Sequence, residues 1–88
     1  MPYIKQIDRK KFTVPLLNLS PKTVGELNYC ISMLCHQYMS DTSNGDKYSA
    51  RYQQHNDVIG VLECAKQEFY RRMSAPYEDV VKDLNGDI

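Results

Sequence analysis

Four residues in the last third of the chain, Lys66, Tyr70, Arg71 and Arg72, bring together the groups that hold anions in water. Guanidinium forks grip phosphate or carboxylate bidentately, an ammonium adds a point charge, and a phenol ring offers a face on which a base can stack. On a helix Lys66 lies one turn before Tyr70, so the two share a face. The opening residues add Lys5, Arg9, Lys10 and Lys11, and Tyr3 and Tyr77 supply further rings. Where the chain ends or two subunits meet, these groups could form a compact anion pocket. The competing assignment is structural. Glu68 and Arg72 are spaced i,i+4, which predicts a surface pair contributing about 0.3–0.5 kcal/mol. Arg71 would then be solvated and Tyr70 would edge the core. Such exposed pairs are common and weak.

Other reactive types are present without the spacing that chemistry needs. A helix puts Cys35 and His36 about 100° apart, and Cys30 more than a turn away. Structural zinc wants four ligands, and the sequence holds no CxxC or HxxxH. A nucleophilic thiol needs an exposed electropositive pocket, whereas Cys30, Cys35 and Cys64 fall among apolar neighbours. Glu63 and Glu68 lie on different helix faces, and Glu26 is better placed as a cap. No glycine-rich phosphate loop appears. The sequence therefore predicts no enzyme, no cofactor and no bound metal.

The chain has 88 residues and zero formal net charge. That length makes one domain, 1–88, with a modest core. Small domains are commonly reinforced by a disulfide, a metal or a partner subunit. Three cysteines without paired spacing argue for a reducing, cytosolic compartment and leave oligomerisation as the reinforcement. No signal peptide is expected, and apolar runs of a few residues fall far short of the roughly 20 that span a bilayer. Neutral charge disfavours a general nucleic-acid footprint. The ends are polarised, however. Lys5, Arg9, Lys10 and Lys11 against Asp8 give the head a balance of +3, and Glu78, Asp79, Asp83 and Asp87 against Lys82 give the tail −3. They could pair within one chain or between two, or remain as two solvated ends. Seven tyrosines and no tryptophan suit either a contact surface or the rim of a small core.

The elements that must position these groups read as helical. Residues 3–12 form a short amphipathic helix, and 13–21, broken by Pro15 and Pro21, a connector. Ser20-Pro21 marks a helix entry, and Thr23-Val24-Gly25-Glu26 matches a capping box. Val24, Leu27, Ile31, Leu34 and Tyr38 then recur at helical spacing as far as about Ser40. Residues 41–54 are polar, with a turn signal at Asn44-Gly45, and make a long connection that also carries Tyr48, Arg51 and Tyr52. The next helix is expected from Asn56 or Asp57, with Val58, Leu62, Ala65 and Phe69 as its core stripe and Gly60 and Cys64 as a small-residue ridge. Pro76 should end or kink it. Tyr77 to Leu84 can form a last short helix closed by Asn85-Gly86. A fourteen-residue polar loop before the last long helix is unlike a helix–turn–helix, so specific DNA reading is disfavoured.

The string VIGVLECAKQEFYRR, then APYE, then NGD, with the opening MPYIKQ and DRKK, resembles a family of short uncharacterised proteins encoded by bacteria and their phages. The likeness covers both ends and the second long helix, while SNGDKYSARYQQH departs most. The family brings no catalytic residues to carry over. The resemblance implies a phage or mobile-element setting, where small oligomeric helical proteins often act on host immunity, some by sequestering nucleotide signals. This last step is analogy of size and architecture.

The expectation is an all-α fold: an antiparallel hairpin of helices at about 22–40 and 56–74 with short terminal helices, assembled as a homo-oligomer in the host cytosol. Its leading expected role is non-enzymatic capture of a small anion, plausibly a nucleotide immune messenger, by Tyr70, Arg71, Arg72, Lys66, Tyr77, Tyr3, Lys5 and Arg9. The alternative is a protein–protein module that blocks a host defence protein or serves a structural role.

Overall fold

Helix-forming signals carry through the computed structural model, which describes residues 2–42 and 52–88. The order is α1 (Gln6–Leu19), α2 (Val24–Thr42), α3 (Tyr52–Phe69), a π-helical turn (Tyr70–Ser74) and α4 (Ala75–Asn85). The last three run on without a break, so the described residues form three helical stretches and no strand. The expected turn at Asn44-Gly45, with Tyr48 and Arg51, lies outside the described residues. Asp41 and Thr42 belong to α2 and Tyr52 to α3, so both long helices extend beyond their expected ends.

The head departs from expectation. Tyr3 precedes α1, and the expected connector at 13–21 is helical as far as Leu19, with Pro15 inside the helix. A proline there removes one amide donor and frees the carbonyl four residues back, that of Lys11. Lys11 is exposed, so water can take over that carbonyl. Thr13 Oγ1 donates to the Arg9 carbonyl at 2.9 Å one turn earlier. Ser20, expected to enter the next helix, instead closes α1 in the left-handed region at φ 46° and ψ 55°. Pro21 follows immediately.

The capping box forms as expected. The Glu26 amide donates to Thr23 Oγ1 at 3.0 Å, while Glu26 Oε1 accepts from the amides of Thr23 at 3.1 Å and Lys22 at 2.7 Å. Three amides at the entry of α2 are thereby satisfied by two side chains. Asn85-Gly86 also closes α4 as expected: Gly86 takes φ 94°, and its amide donates to the Lys82 carbonyl at 2.8 Å.

Pro76 neither ends the helix nor begins a separate one. The π turn absorbs it: the Ala75 amide reaches back five residues to the Tyr70 carbonyl, and Pro76 falls in the first turn of α4. A proline in that turn needs no amide. One extra residue in the turn also rotates everything after it by about 100° around the axis.

Packing is sparse. Among the described helices, backbones approach one another only where α2 meets α3, apart from the joints of α3 and α4 with the π turn; no Cα of α1 comes within 8 Å of another helix. Gln54 Nε2 ties α3 to the end of α2, donating to the Thr42 carbonyl at 2.8 Å and to Thr42 Oγ1 at 3.1 Å. Two apolar grooves flank the seam, one holding Ile31, Met39 and Leu62, the other Leu34, Tyr38 and Val61. Cys35 and Val58 line both, which marks the line of contact.

The expected core stripes are not buried in the single chain. Met39, at 9% exposure, is the one buried hydrophobic residue among those described, whereas Val24 stands at 86% and Phe69 at 63%. Cys30 and Cys35 are half-buried and Cys64 is exposed. A Cβ built on Gly60 would meet nothing within 4 Å, so the Gly60–Cys64 ridge faces open space. The Cα radius of gyration is 16.8 Å, against about 12 Å for a compact domain of this length.

Candidate functional site

The N-terminal arm crosses the helical rod at the point where α3 gives way to the π turn. Tyr3 donates its phenol to Glu68, and Arg71 Nη2 reaches the same carboxylate oxygen at 2.7 Å and the Tyr3 hydroxyl at 3.3 Å. Glu68 is thus the hub of a three-residue cluster that ties the N-terminal arm to the end of α3 and the π turn. The pairing with Arg72 expected from i,i+4 spacing is replaced by an i,i+3 pair with Arg71. The phenol of Tyr3, then the guanidinium of Arg71, hold the Glu68 carboxyl below the usual carboxylate range. Reciprocally, Glu68 strengthens the proton affinity of Arg71.

Beside this cluster lies a cleft of about 480 Å³ lined by Tyr3, Arg9, Glu68, Phe69, Arg72 and Met73, with Pro2 and Ala65. Three of the expected ligand residues, Tyr3, Arg9 and Arg72, therefore meet, and Arg71 binds Tyr3 and Glu68, which line the cleft, without lining it itself. Arg9 Nε donates to the Ile4 carbonyl at 2.7 Å, which orients its guanidinium.

The remaining expected residues lie apart. Lys66 Nζ pairs with Glu63 at 3.1 Å, and Glu63 also accepts from Gln67 at 3.2 Å. Lys66, then Gln67, hold the Glu63 carboxyl below its ordinary value. The Tyr70 hydroxyl donates to Glu78 at 3.2 Å across the π turn, and this carboxylate, with Asp79 adding a smaller effect, raises the phenol above its usual value. Tyr77 is exposed on α4, and Lys5 is exposed at the cap position of α1. Neither lines the cleft.

Sequence reasoning missed the role of Glu68 and a second feature. The larger groove along the α2–α3 seam, about 600 Å³, carries both histidines of the chain, His36 from α2 and His55 from α3, with Asn28 and Ser32. Helical spacing places His36 near Met39 and His55 near Val58, but only the meeting of the helices joins the two pairs. No group of three or more His, Cys, Asp or Glu among the described residues is arranged to hold a metal ion. No described helix is long and apolar enough to cross a membrane.

Fold and site together define an all-α protein whose Lys66, Glu68, Tyr70 and Arg71 side chains are each paired with a neighbouring side chain and whose apolar faces are open. The chain belongs to the family described as a domain of unknown function, DUF6899, which matches residues 1–88. No curated protein and no solved structure matches it.

Proposed function

We propose that this chain is a non-enzymatic interaction protein that works as an assembly of identical cytosolic subunits. Its α2–α3 pair forms an antiparallel hairpin, and α1 and α4 act as arms for contact. The surface carries this reading. One chain exposes 8043 Å², whereas a folded monomer of 10.2 kDa exposes about 5,300 Å². The excess of about 2,700 Å² exceeds the roughly 800 Å² that each partner contributes to a standard interface. Leu17 at 72% and Leu84 at 79% exposure are among the side chains that this excess leaves in water. The hairpin is supported by the Gln54–Thr42 link at one end of the seam, with Ile31 and Leu62 sharing a groove further along. Sedimentation velocity tests the proposal: the protein should sediment as a multiple of 10.2 kDa, and a stable folded monomer at micromolar concentration overturns it.

A second reading, capture of a small anion, draws on the convergence of Arg9, Arg72 and Tyr3 in one cleft. In a phage setting the ligand would be a nucleotide messenger of host immunity, sequestered from its receptor. This reading ranks second because Lys66 and Arg71 already have carboxylates at 3.1 and 2.7 Å, and Tyr70 donates to Glu78. An incoming phosphate would have to displace them. Thermal shift against mono-, di- and cyclic nucleotides separates the two. Saturation at a hundred times Kd adds about 2.7 kcal/mol, and Arg9→Ala or Arg72→Ala should abolish the gain. A flat response across the panel removes the anion reading and leaves a host defence protein as the candidate partner beyond self.

A further inference from the structure

We infer that two copies of this chain join through reciprocal contacts between the basic α1 of one copy and the acidic α4 of the other. The inference rests on the self-assembly reading and names its contact surface.

Three observations converge. First, α1 and α4 are the two long helices whose backbones lie close to no other long helix. No Cα of α1 comes within 8 Å of another helix, and α4 approaches only the π turn from which it grows. An isolated helix of 14 residues, the length of α1, is marginal in water, so it needs a surface to lie on. Second, both helices expose apolar side chains, Phe12, Leu16 and Leu19 on one side of α1 being exposed like those on the other. Ile7, Val14 and Leu17 are spaced along one side of α1, and Tyr77, Val80 and Leu84 along one side of α4, all exposed.

Third, the charges that the two helices carry are opposite. Lys10 and Lys11 lie between Ile7 and Val14, and Asp79 and Asp83 border Val80 and Leu84. Among the described residues, the ion pairs are Lys66–Glu63 and Arg71–Glu68, so none of these four charges is ion-paired with another described residue. Head and tail balances of +3 and −3 are equal and opposite. A second copy supplies what each helix lacks: the complementary charge and an apolar cover of similar length. In a two-fold pair every contact occurs twice. The excess of about 2,700 Å² per subunit is large enough for two such contacts at about 800 Å² each.

Charge reversal on the full-length protein tests this directly. One variant carries Lys10→Glu with Lys11→Glu, a second carries Asp79→Lys with Asp83→Lys, and both are followed by sedimentation and circular dichroism. Each alone should lose self-association by tenfold or more, because both contacts become like-charged. An equimolar mixture should restore it, because both contacts in the mixed pair are again complementary. The rescue keeps the test decisive even where a single variant loses helicity on dissociation. Retention of wild-type association by each variant alone, or absence of rescue on mixing, overturns the α1–α4 contact while leaving self-assembly in place. A wild-type protein that sediments as a folded monomer overturns both.

Discussion

If subunit contacts supply the core that one chain lacks, dilution alone should destabilise the protein. For a dimer that unfolds to separate chains, a hundredfold dilution shifts the equilibrium by RT ln 100, about 2.7 kcal/mol per dimer. The unfolding entropy of globular proteins is about 2.1 cal/mol/K per residue, and each chain has 88 residues, which gives roughly 0.37 kcal/mol/K for the pair. The melting temperature should therefore fall by about 7 °C over two decades of concentration. A self-sufficient monomer would show no change. The assay is thermal unfolding followed by far-ultraviolet circular dichroism across a hundredfold dilution series. A melting temperature constant within a degree or so would refute the reasoning. It would mean that the open apolar side chains are covered within one chain in solution.

Thr23→Ala removes the oxygen that accepts the Glu26 amide at 3.0 Å. It should destabilise by about 1 kcal/mol, read as a drop of melting temperature by roughly 4–8 °C if a single small domain melts; no change would show that the entry of α2 is frayed. Gly60→Ala should stabilise by about 0.5–1 kcal/mol in denaturant unfolding, because its new methyl meets nothing within 4 Å. A loss instead would reveal another copy packed on the Gly60–Cys64 ridge. The Glu68 carboxyl is held below its ordinary value by Tyr3 and Arg71. Its contribution to stability is thus present above the unfolded carboxylate pKa and is lost as pH falls through the lower folded value. Tyrosine resonances followed by NMR should show Tyr3 leaving α3 over that acid range in the wild type, and Glu68→Gln should abolish the titration; a Tyr3 environment unchanged by acid or by the substitution would discount the cluster. The Tyr70 phenol, raised by Glu78, behaves oppositely. Its hydrogen bond contributes below the unfolded phenol pKa and is lost as pH rises through the folded value. Ultraviolet titration should therefore show the Tyr70 phenol raised above the ordinary tyrosine value, and Glu78→Gln should lower it.

Signals that act over one helical turn were legible in the residues alone. The Thr23–Glu26 box and the Asn85-Gly86 closure need only the hydrogen-bonding reach of neighbouring side chains and amides. The two long helices followed from apolar spacing at three and four residues. Prolines were less legible, because the effect of a proline depends on whether its freed carbonyl finds water or a shifted register. Pro15 sits in a helix whose Lys11 is exposed, and Pro76 is absorbed by a π turn, although both sequences carry the same breaker.

For the site, residue types announced anion-binding capacity but not who would neutralise whom. Helical spacing offered Glu68 both Arg71 and Arg72, and the structure pairs it with Arg71 and with Tyr3, 65 positions away. That choice depends on where the N-terminal arm lies against the rod, which no local rule contains. The convergence of Tyr3, Arg9 and Arg72 and the meeting of His36 with His55 along one groove are equally products of tertiary arrangement. The sequence by itself determined an all-helical chain with its caps, its amphipathic stripes and its oppositely charged ends, because each of these depends on neighbours within a few residues or on composition. Only the tertiary structure decided that the stripes of α1 and α4 stay uncovered, because burial depends on the positions of groups distant along the chain.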